Sequence, residues 1–357
     1  MYKKLQINEL KKEVNNKKIN IFVAFCSFEK RCLSILQNLP IEQINSSIIF
    51  INKEAPSESL NNLKVFQRLL LNKANVIQVD LWQPTDLADQ MIDALSNACK
   101  KYSDIPHVMV DITTFSHEAL LIFIAMINNR FSKIEIEYAY CNAASYATEI
   151  RLKSNNWLSR GISGVRAVLG YAGEINPFVK TVLIIMVGYE DERARRIIDA
   201  IAPDELILAS NDINGATDEM HSDAAKKHIR KINKEQEQKN KNESWEVSHQ
   251  ESKHSKLQRE LGLEAYYQNP PDKTISCNDP FKTELELNKI ISELDVNKNI
   301  IIVPLNSKLA TVGAALVAFN NPKIQICYAN ALTYNIHYYS TPGKMCYLFS
   351  FNDSENE

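Results

Sequence analysis

The chain has 357 residues, of which 45% are hydrophobic and 24% charged, and its net charge is −2. That is enough apolar sequence for two ordinary globular domains, each with its own core. The near-neutral balance gives no global field for holding nucleic acid, although a local basic patch would escape the count.

The longest apolar runs, among them Leu120 to Ile127 and Val182 to Val187, fall well short of the roughly 20 residues a membrane span needs. The amino end, Met1-Tyr2-Lys3-Lys4, lacks the apolar core of a secretion signal, so a cytoplasmic protein with no membrane contact is expected. Seven scattered cysteines, Cys26, Cys32, Cys99, Cys141, Cys277, Cys327 and Cys346, include no CxxC pair. This spacing favours free thiols over disulfides or a zinc site. Cys26, at the end of a first strand, is placed where a nucleophile could sit, but it also reads as a small buried strand residue.

In chain order, residues 1 to 17 predict a short polar helix. A strand follows from Ile19 to Phe25, then a turn over Cys26-Ser27-Phe28-Glu29-Lys30-Arg31 and a helix with Cys32, Leu33, Ile35, Leu36 and Leu39 on its apolar face, which Pro40 stops. Strands at Ser47–Ile51, Asn75–Val79 and His107–Val110 alternate with helices near 57–73 and 85–102. A helix from Phe115 to about Asn129 leads to a strand at Ile134–Tyr140, and an amphipathic strand near Ser145–Leu152 closes the series. Such alternation predicts a mostly parallel sheet flanked by helices, a Rossmann-like domain.

Residues from Lys153 to Pro177 concentrate turn formers in a chain with only nine glycines, and 153–178 therefore reads as a linker. A second series then begins. Thr181–Val187 is a strand, and Gly188-Tyr189-Glu190-Asp191-Glu192-Arg193 takes the place of Ser27–Arg31, so that an aromatic residue, an acid and an arginine recur. Glu205–Ala209 answers Ser47–Ile51, Lys323–Ala329 answers Lys133–Ala139, and Met345–Phe351 echoes the closing strand. The expected architecture is two tandem Rossmann-like domains related by internal duplication, residues 1–152 and 179–357, each a mostly parallel sheet flanked by helices.

The second domain carries a charged insertion at about 214–262. The segment Asp223–Ile232 begins a helix of mixed charge with no broad apolar stripe, which predicts either a solvated helix or an arm that binds a protein partner through residues 216–260. His221, His228, His249 and His254 fall in this insertion. His221 and His228 are spaced to share a helix face, but the spacing matches no tight zinc motif, so exposed histidines and no metal are expected.

Ligands of open parallel sheets bind beyond the strand carboxyl ends. In the first half those ends carry Ser27, Glu29 and Arg31, then Asp111, Thr113, Thr114, Ser116 and His117. In the second they carry Tyr189, Glu190, Asp191 and Arg193, then Asn306, Ser307 and Lys308. Thr113, Thr114, Ser307 and the amides of the following helix starts could hold a phosphate, assisted by Lys308. The same residue types are favoured helix caps that need no ligand, and Glu29 with Arg31 also reads as a simple ion pair. There is no GxGxxG loop, Walker lysine loop, HExxH or GxSxG elbow.

The turn Asp111-Ile112-Thr113-Thr114 after a fourth strand, with His117 where a base belongs and Asn306-Ser307-Lys308 as its shortened counterpart, resembles the CRISPR-associated Rossmann fold (CARF) ligand sensors. The resemblance covers short motifs and topology. It implies binding of a cyclic oligoadenylate, and the related SAVED sensors, which fuse two such units, imply a composite pocket and a role in prokaryotic antiviral defence. The leading expectation is thus a defence or stress protein that binds a nucleotide-type ligand, with no cofactor identified. Two alternatives stand beside it: a nucleotide or NAD hydrolase or nucleic-acid-processing effector using Glu29 or Asp111 with His117, and an adaptor that recruits a partner through its insertion.

Overall fold

The apolar runs become strands buried on both faces, as a parallel sheet between helices requires. The strand from His107 to Asp111 is buried at every position. In the computed structural model, residues 2–15, 17–147, 157–211, 226–234, 272–337 and 339–351 are described. The chain divides into two units, Met1–Leu158 with Tyr334–Glu357, and Ser159–Thr333. Both are mixed α/β, with mostly parallel sheets flanked by helices.

The first unit begins with β1 (Tyr2–Gln6) and a short helix α1 (Leu10–Glu13). The repeating series follows as β2 (Ile19–Cys26), a 3₁₀ turn and α2 (Ser34–Gln37), β3 (Ile44–Asn52), α3 (Ser57–Leu70), β4 (Ala74–Val79), α4 (Pro84–Cys99), β5 (His107–Asp111), α5 (His117–Arg130) and β6 (Glu135–Tyr146). The chain's last strand, β15 (Ser340–Phe349), completes a seven-stranded sheet in the order β1-β15-β6-β5-β2-β3-β4. The five strands from β4 to β6 are parallel; β15 is antiparallel to β6, and β1 is antiparallel to β15. Because β3 and β4 build outward on one side of β2 while β5 and β6 build on the other, the strand order turns back between β2 and β5.

Helix α5 starts two residues later than the pattern predicts. Ser116 is extended, and its hydroxyl accepts the Ala119 N–H at 3.1 Å, so it caps the helix instead of lying in it. Every residue from His117 to Ile127 is buried. A helix apolar on nearly all sides belongs inside a fold, and here it follows β5 directly.

The second unit contains β7 (Ser159–Ile162), β8 (Arg166–Ala167), β9 (Thr181–Met186), α6 (Asp191–Ile201), β10 (Glu205–Asn211), the helical segment 226–234 as α7, and β11 (Asp272–Ile275). It continues with α8 (Pro280–Ser292), β12 (Asn299–Pro304), α9 (Lys308–Asn320), β13 (Gln325–Tyr328) and β14 (Ala331–Tyr334). Its six-stranded sheet runs β11-β10-β9-β12-β13-β8, parallel except for β8. Strands β14 and β7 form a separate pair. Gly313 lets α9 lie close against α8, since a Cβ there would sit 2.6 Å from Thr283 Cβ and 2.7 Å from the Pro280 carbonyl oxygen.

Four expectations are corrected. The amino end forms strand β1 ahead of its short helix, because Leu5 turns inward while its neighbours stay polar. The closing strand at Met345–Phe351 belongs to the first unit: β15 pairs with β6, and Phe349 stacks on Tyr138 with ring centroids 5.2 Å apart. The alternation of a strand specifies a face to bury but not the strand it pairs with.

The described part of the 153–178 stretch is no linker. It carries β7 and β8 and runs along β13, with the Val168 N–H on the Ile326 carbonyl at 2.8 Å and the Ile326 N–H on the Tyr171 carbonyl at 3.0 Å. Its glycines serve turns and close approach: Gly173 has φ +65°, and a Cβ would lie 2.7 Å from the Gln325 nitrogen.

Most of the insertion, with His221, His249 and His254, lies outside the described residues, as does the end of the strand expected near Ser145–Leu152. Helix α7 is not fully solvated. Ile229 and Ile232 are buried, and the half-buried His228 places Nδ1 2.9 Å from the Gly188 carbonyl oxygen. Two isoleucines three apart suffice to seat one face of a short helix. Among the described residues no helix is long and apolar enough to cross a membrane.

Candidate functional site

The turn leaving β2 carries Ser27, Glu29 and Arg31. Ser27 stabilises the turn itself, its hydroxyl oxygen accepting the Glu29 N–H at 3.3 Å. Arg31 is 3% exposed. Its Nε and Nη2 lie 3.1 and 2.8 Å from Glu29 Oε2, Nε also donates to Ser340 Oγ at 3.0 Å, and Nη1 donates to the Cys141 carbonyl at 3.2 Å. The Ser340 hydroxyl donates to Glu29 as well, and the guanidinium lies over the Tyr146 ring, 5.8 Å from its centroid. The acid–arginine pair is therefore a buried rivet that fastens the first turn to β6 and β15, with its donors turned inward.

The turn leaving β5 is tied down in a similar way. Thr114 Oγ1 donates to the Phe25 carbonyl at 2.7 Å, and Thr113 Oγ1 accepts the Cys141 N–H at 3.0 Å, so each hydroxyl joins the turn to a neighbouring strand end. Ser116 caps α5, and His117, the first residue of that helix, is buried. Asp111 differs. It is 2% exposed; Oδ1 accepts the Thr113 N–H at 3.0 Å, whereas Oδ2 is buried with no hydrogen-bond partner among the described residues. Burial raises the Asp111 pKa to about 7, against the opposing pull of the Thr113 hydrogen bonds and the Arg31 charge.

In the second unit the same kinds of groups meet. Arg193, 3% exposed, places Nη2 2.9 Å from Glu190 Oε1 and 3.0 Å from Ser159 Oγ, while Nη1 donates to the Tyr328 hydroxyl at 2.6 Å. Its guanidinium lies 5.5 Å from the Tyr328 ring centroid, and the Ser159 hydroxyl donates to Glu190. Tyr189 is buried beside this cluster in sequence, and Asp191 opens α6.

Asn306 spans three strand ends: Nδ2 donates to the Val187 carbonyl at 2.8 Å and to Asn211 Oδ1 at 2.6 Å, and Oδ1 accepts the Ser307 N–H at 2.7 Å. Ser307 caps α9 by accepting the Ala310 N–H at 3.0 Å and donates to the Cys277 carbonyl. Lys308 is the first residue of α9 and is half-buried. Gly188 permits the tight packing here, since a Cβ would lie 2.4 Å from the Leu305 carbonyl oxygen.

Within each unit the structure thus brings the predicted acid and arginine together and assigns most of the predicted hydroxyls to caps and strand ties. Ser340, Ser159, Tyr146, Tyr328 and Asn211 complete these clusters and were missed by sequence reasoning. They sit far away in the chain and carry no motif of their own. Cys26 is buried and donates through Sγ to the Ser59 carbonyl at 3.3 Å, a core thiol in its contacts. Cys32 beside it is held well above the ordinary thiol pKa, chiefly by burial. Among the described residues no three His, Cys, Asp or Glu side chains come together as a metal site.

No protein-family model and no curated protein matches the chain. Part of it is similar to a solved structure, "Structure of the Pyocyanin Biosynthetic Protein PhzM", at 12% sequence identity and a TM-score of 0.22, over 42% of this chain and 39% of that one. The match spans well under half of that protein, and a likeness this low carries no argument about fold or function.

Proposed function

We propose that the chain is a tandem Rossmann-like protein that binds a nucleotide-type ligand at the carboxyl ends of β2 and β5 in its first unit. Duplication is supported by strand order. Numbered by position within each unit, both parallel sheets run third, second, first, fourth, fifth, and each fifth strand is flanked by an antiparallel one. In such sheets the crevice where the order turns back is the usual ligand position.

The observation that carries the reading is Asp111. It ends β5, next to the point where the strand order turns back, with one oxygen held by a backbone N–H and the other without a hydrogen-bond partner among the described residues. A buried carboxyl oxygen left unpaired carries a desolvation cost of about 1–3 kcal/mol or more, which a ribose hydroxyl, able to donate or accept, would relieve by pairing with it in either protonation state. The antiviral setting rests on the motif resemblance alone.

Thermal denaturation with mono-, di- and cyclic nucleotides tests the proposal. A cognate nucleotide at a hundredfold excess over its dissociation constant should stabilise the protein by about 2.7 kcal/mol, and Asp111→Ala should abolish that gain. A panel in which no nucleotide shifts the transition would sink the idea. Turnover is a second reading, favoured by the near-neutral pKa of Asp111, which suits a general acid or base. Glu29 is a poor candidate for that chemistry because its carboxylate is committed to Arg31 and Ser340. Hydrolysis of NAD or nucleic acid that persists unchanged in Asp111→Ala would remove this residue from any such reaction.

A further inference from the structure

We infer that a cavity beside the first turn is a separate ligand site, shaped for a small organic anion with a phosphate or carboxylate head and a body that offers hydrogen-bonding edges. The cavity measures about 430 Å³, within the roughly 300–1,000 Å³ of small-molecule sites. Lys30, Leu33, Ser34 and Gln37 form one wall, Asn62 of α3 another, and Gly343 of β15 a third. It is distinct from the Asp111 crevice, because its wall is the 3₁₀ turn and α2 rather than the β5 turn.

Three observations point to a ligand. The first is the wall made by β15. Its register with β6 shifts between Thr341 and Pro342 and again between Pro342 and Cys346, and the Asn142 side chain takes the Met345 N–H at 3.0 Å across the break. A Cβ on Gly343 would lie 2.0 Å from Asn142 Oδ1, so the chain passes here only as glycine. Bulges re-aim strands, and active sites are among the places where they concentrate.

The second is charge. Lys30 is the only ionisable residue of the lining, is exposed, and forms no hydrogen bond or ion pair among the described residues. Glu29, the acid next to it in sequence, is taken up by Arg31 and Ser340, so the ammonium is left to a ligand anion.

The third is the set of amides. Asn62 spends its NH₂ group on the Ser27 and Glu29 carbonyls at 2.8 and 3.4 Å, which leaves its amide oxygen as an acceptor, and the exposed Gln37 amide has no partner among the described residues. Ile7, Leu33 and Pro342 supply apolar lining. One cation, amide donors and acceptors and an apolar floor match an anion with a ring or chain attached, not a bare ion.

The full chain would be titrated calorimetrically with the four nucleoside monophosphates, a panel of aromatic carboxylates and inorganic phosphate, using wild type, Lys30→Met and Asp111→Asn. The expected result is that at least one organic anion binds wild type and loses at least tenfold in affinity in Lys30→Met. Whether a phosphate or a carboxylate binds identifies the head group. Unchanged affinity in Lys30→Met, inorganic phosphate binding as tightly as the best organic anion, or no binding by any probe would each overturn the inference. Binding lost in Asp111→Asn but kept in Lys30→Met would overturn this site while leaving the Asp111 crevice in place.

Discussion

Replacing Asp111 by asparagine should flatten the pH dependence of stability between about pH 4 and 7. The carboxyl is buried, and its pKa rises from 3.8 to about 7 on folding. Across that window the unfolded chain has released the proton and the folded chain retains it. Stability must therefore fall as pH rises, because the folded state binds more protons. The contribution is fully present below the unfolded pKa and is lost as pH climbs through the folded one. Each pH unit is worth about 1.4 kcal/mol, and a window of about 3 units gives a ceiling of about 4 kcal/mol. Asparagine keeps an oxygen for the Thr113 N–H and carries no titrating proton. Urea denaturation of wild type and Asp111→Asn at half-unit steps from pH 4 to 8 measures the difference in slope, and subtraction removes the other titrating groups. Parallel stability curves for the two proteins would refute the reasoning.

Other consequences concern the rivets and the strand edges. Arg31→Met leaves the Glu29 carboxylate buried without its cation and should cost about 3–5 kcal/mol in urea denaturation, part of it recovered in the Glu29→Gln/Arg31→Met double variant; a loss under about 1 kcal/mol would show that the pair is not buried as described. Gly173→Ala places a Cβ at φ +65° and 2.7 Å from the Gln325 nitrogen, so its transition should fall by more than about 1 kcal/mol, and a neutral substitution would mean that residues 170–174 do not pack on β13. His107 is tuned by burial, which lowers its pKa, and more strongly by Glu137 and the Lys18 carbonyl, which raise it. The stability it adds is complete below the ordinary histidine pKa and is lost as pH rises through the higher folded value, so His107→Gln should remove a decline in stability on the alkaline side of that range, and an unaltered decline would exclude the Glu137 contact as its source.

Much of the fold was legible because parallel strands buried on both faces must be continuously apolar, as β2, β5, β9 and β12 are. Strand β11 and helix α8 were not legible from that signal. Asp272-Lys273-Thr274-Ile275 is a four-residue edge strand with one apolar position, and it shows itself only by pairing with β10. The glycines from 161 to 173 misled in the opposite sense. A positive φ is the same requirement in a loose loop and in a segment pressed against β13, so composition could not separate the two. The partner of β15 was hidden for a topological reason, since its mate β6 lies some two hundred residues earlier.

The candidate site shows a related ambiguity between structural and ligand-binding polar groups. Glu29 with Arg31 was legible as a pair because the two stand two positions apart, and Glu190 with Arg193, three positions apart, was legible as a recurrence of the same residue types. Their third and fourth members, Ser340 with Tyr146 and Ser159 with Tyr328, come from other strands. Once those partners are counted, the arginines no longer stand as free anion donors. Thr113, Thr114, Asn306 and Ser307 are likewise satisfied by the chain, since a cap or strand tie asks for the same hydroxyls and amides that a phosphate would. Ligand chemistry then has to rest on groups the fold does not use. Among such groups in the first unit are Asp111 Oδ2, buried with no hydrogen-bond partner among the described residues, and the Lys30 ammonium, which forms no hydrogen bond or ion pair among them. One group ends β5 and the other opens the 3₁₀ turn after β2, so the affinities of Asp111→Asn and Lys30→Met for a common set of nucleotides should respond independently.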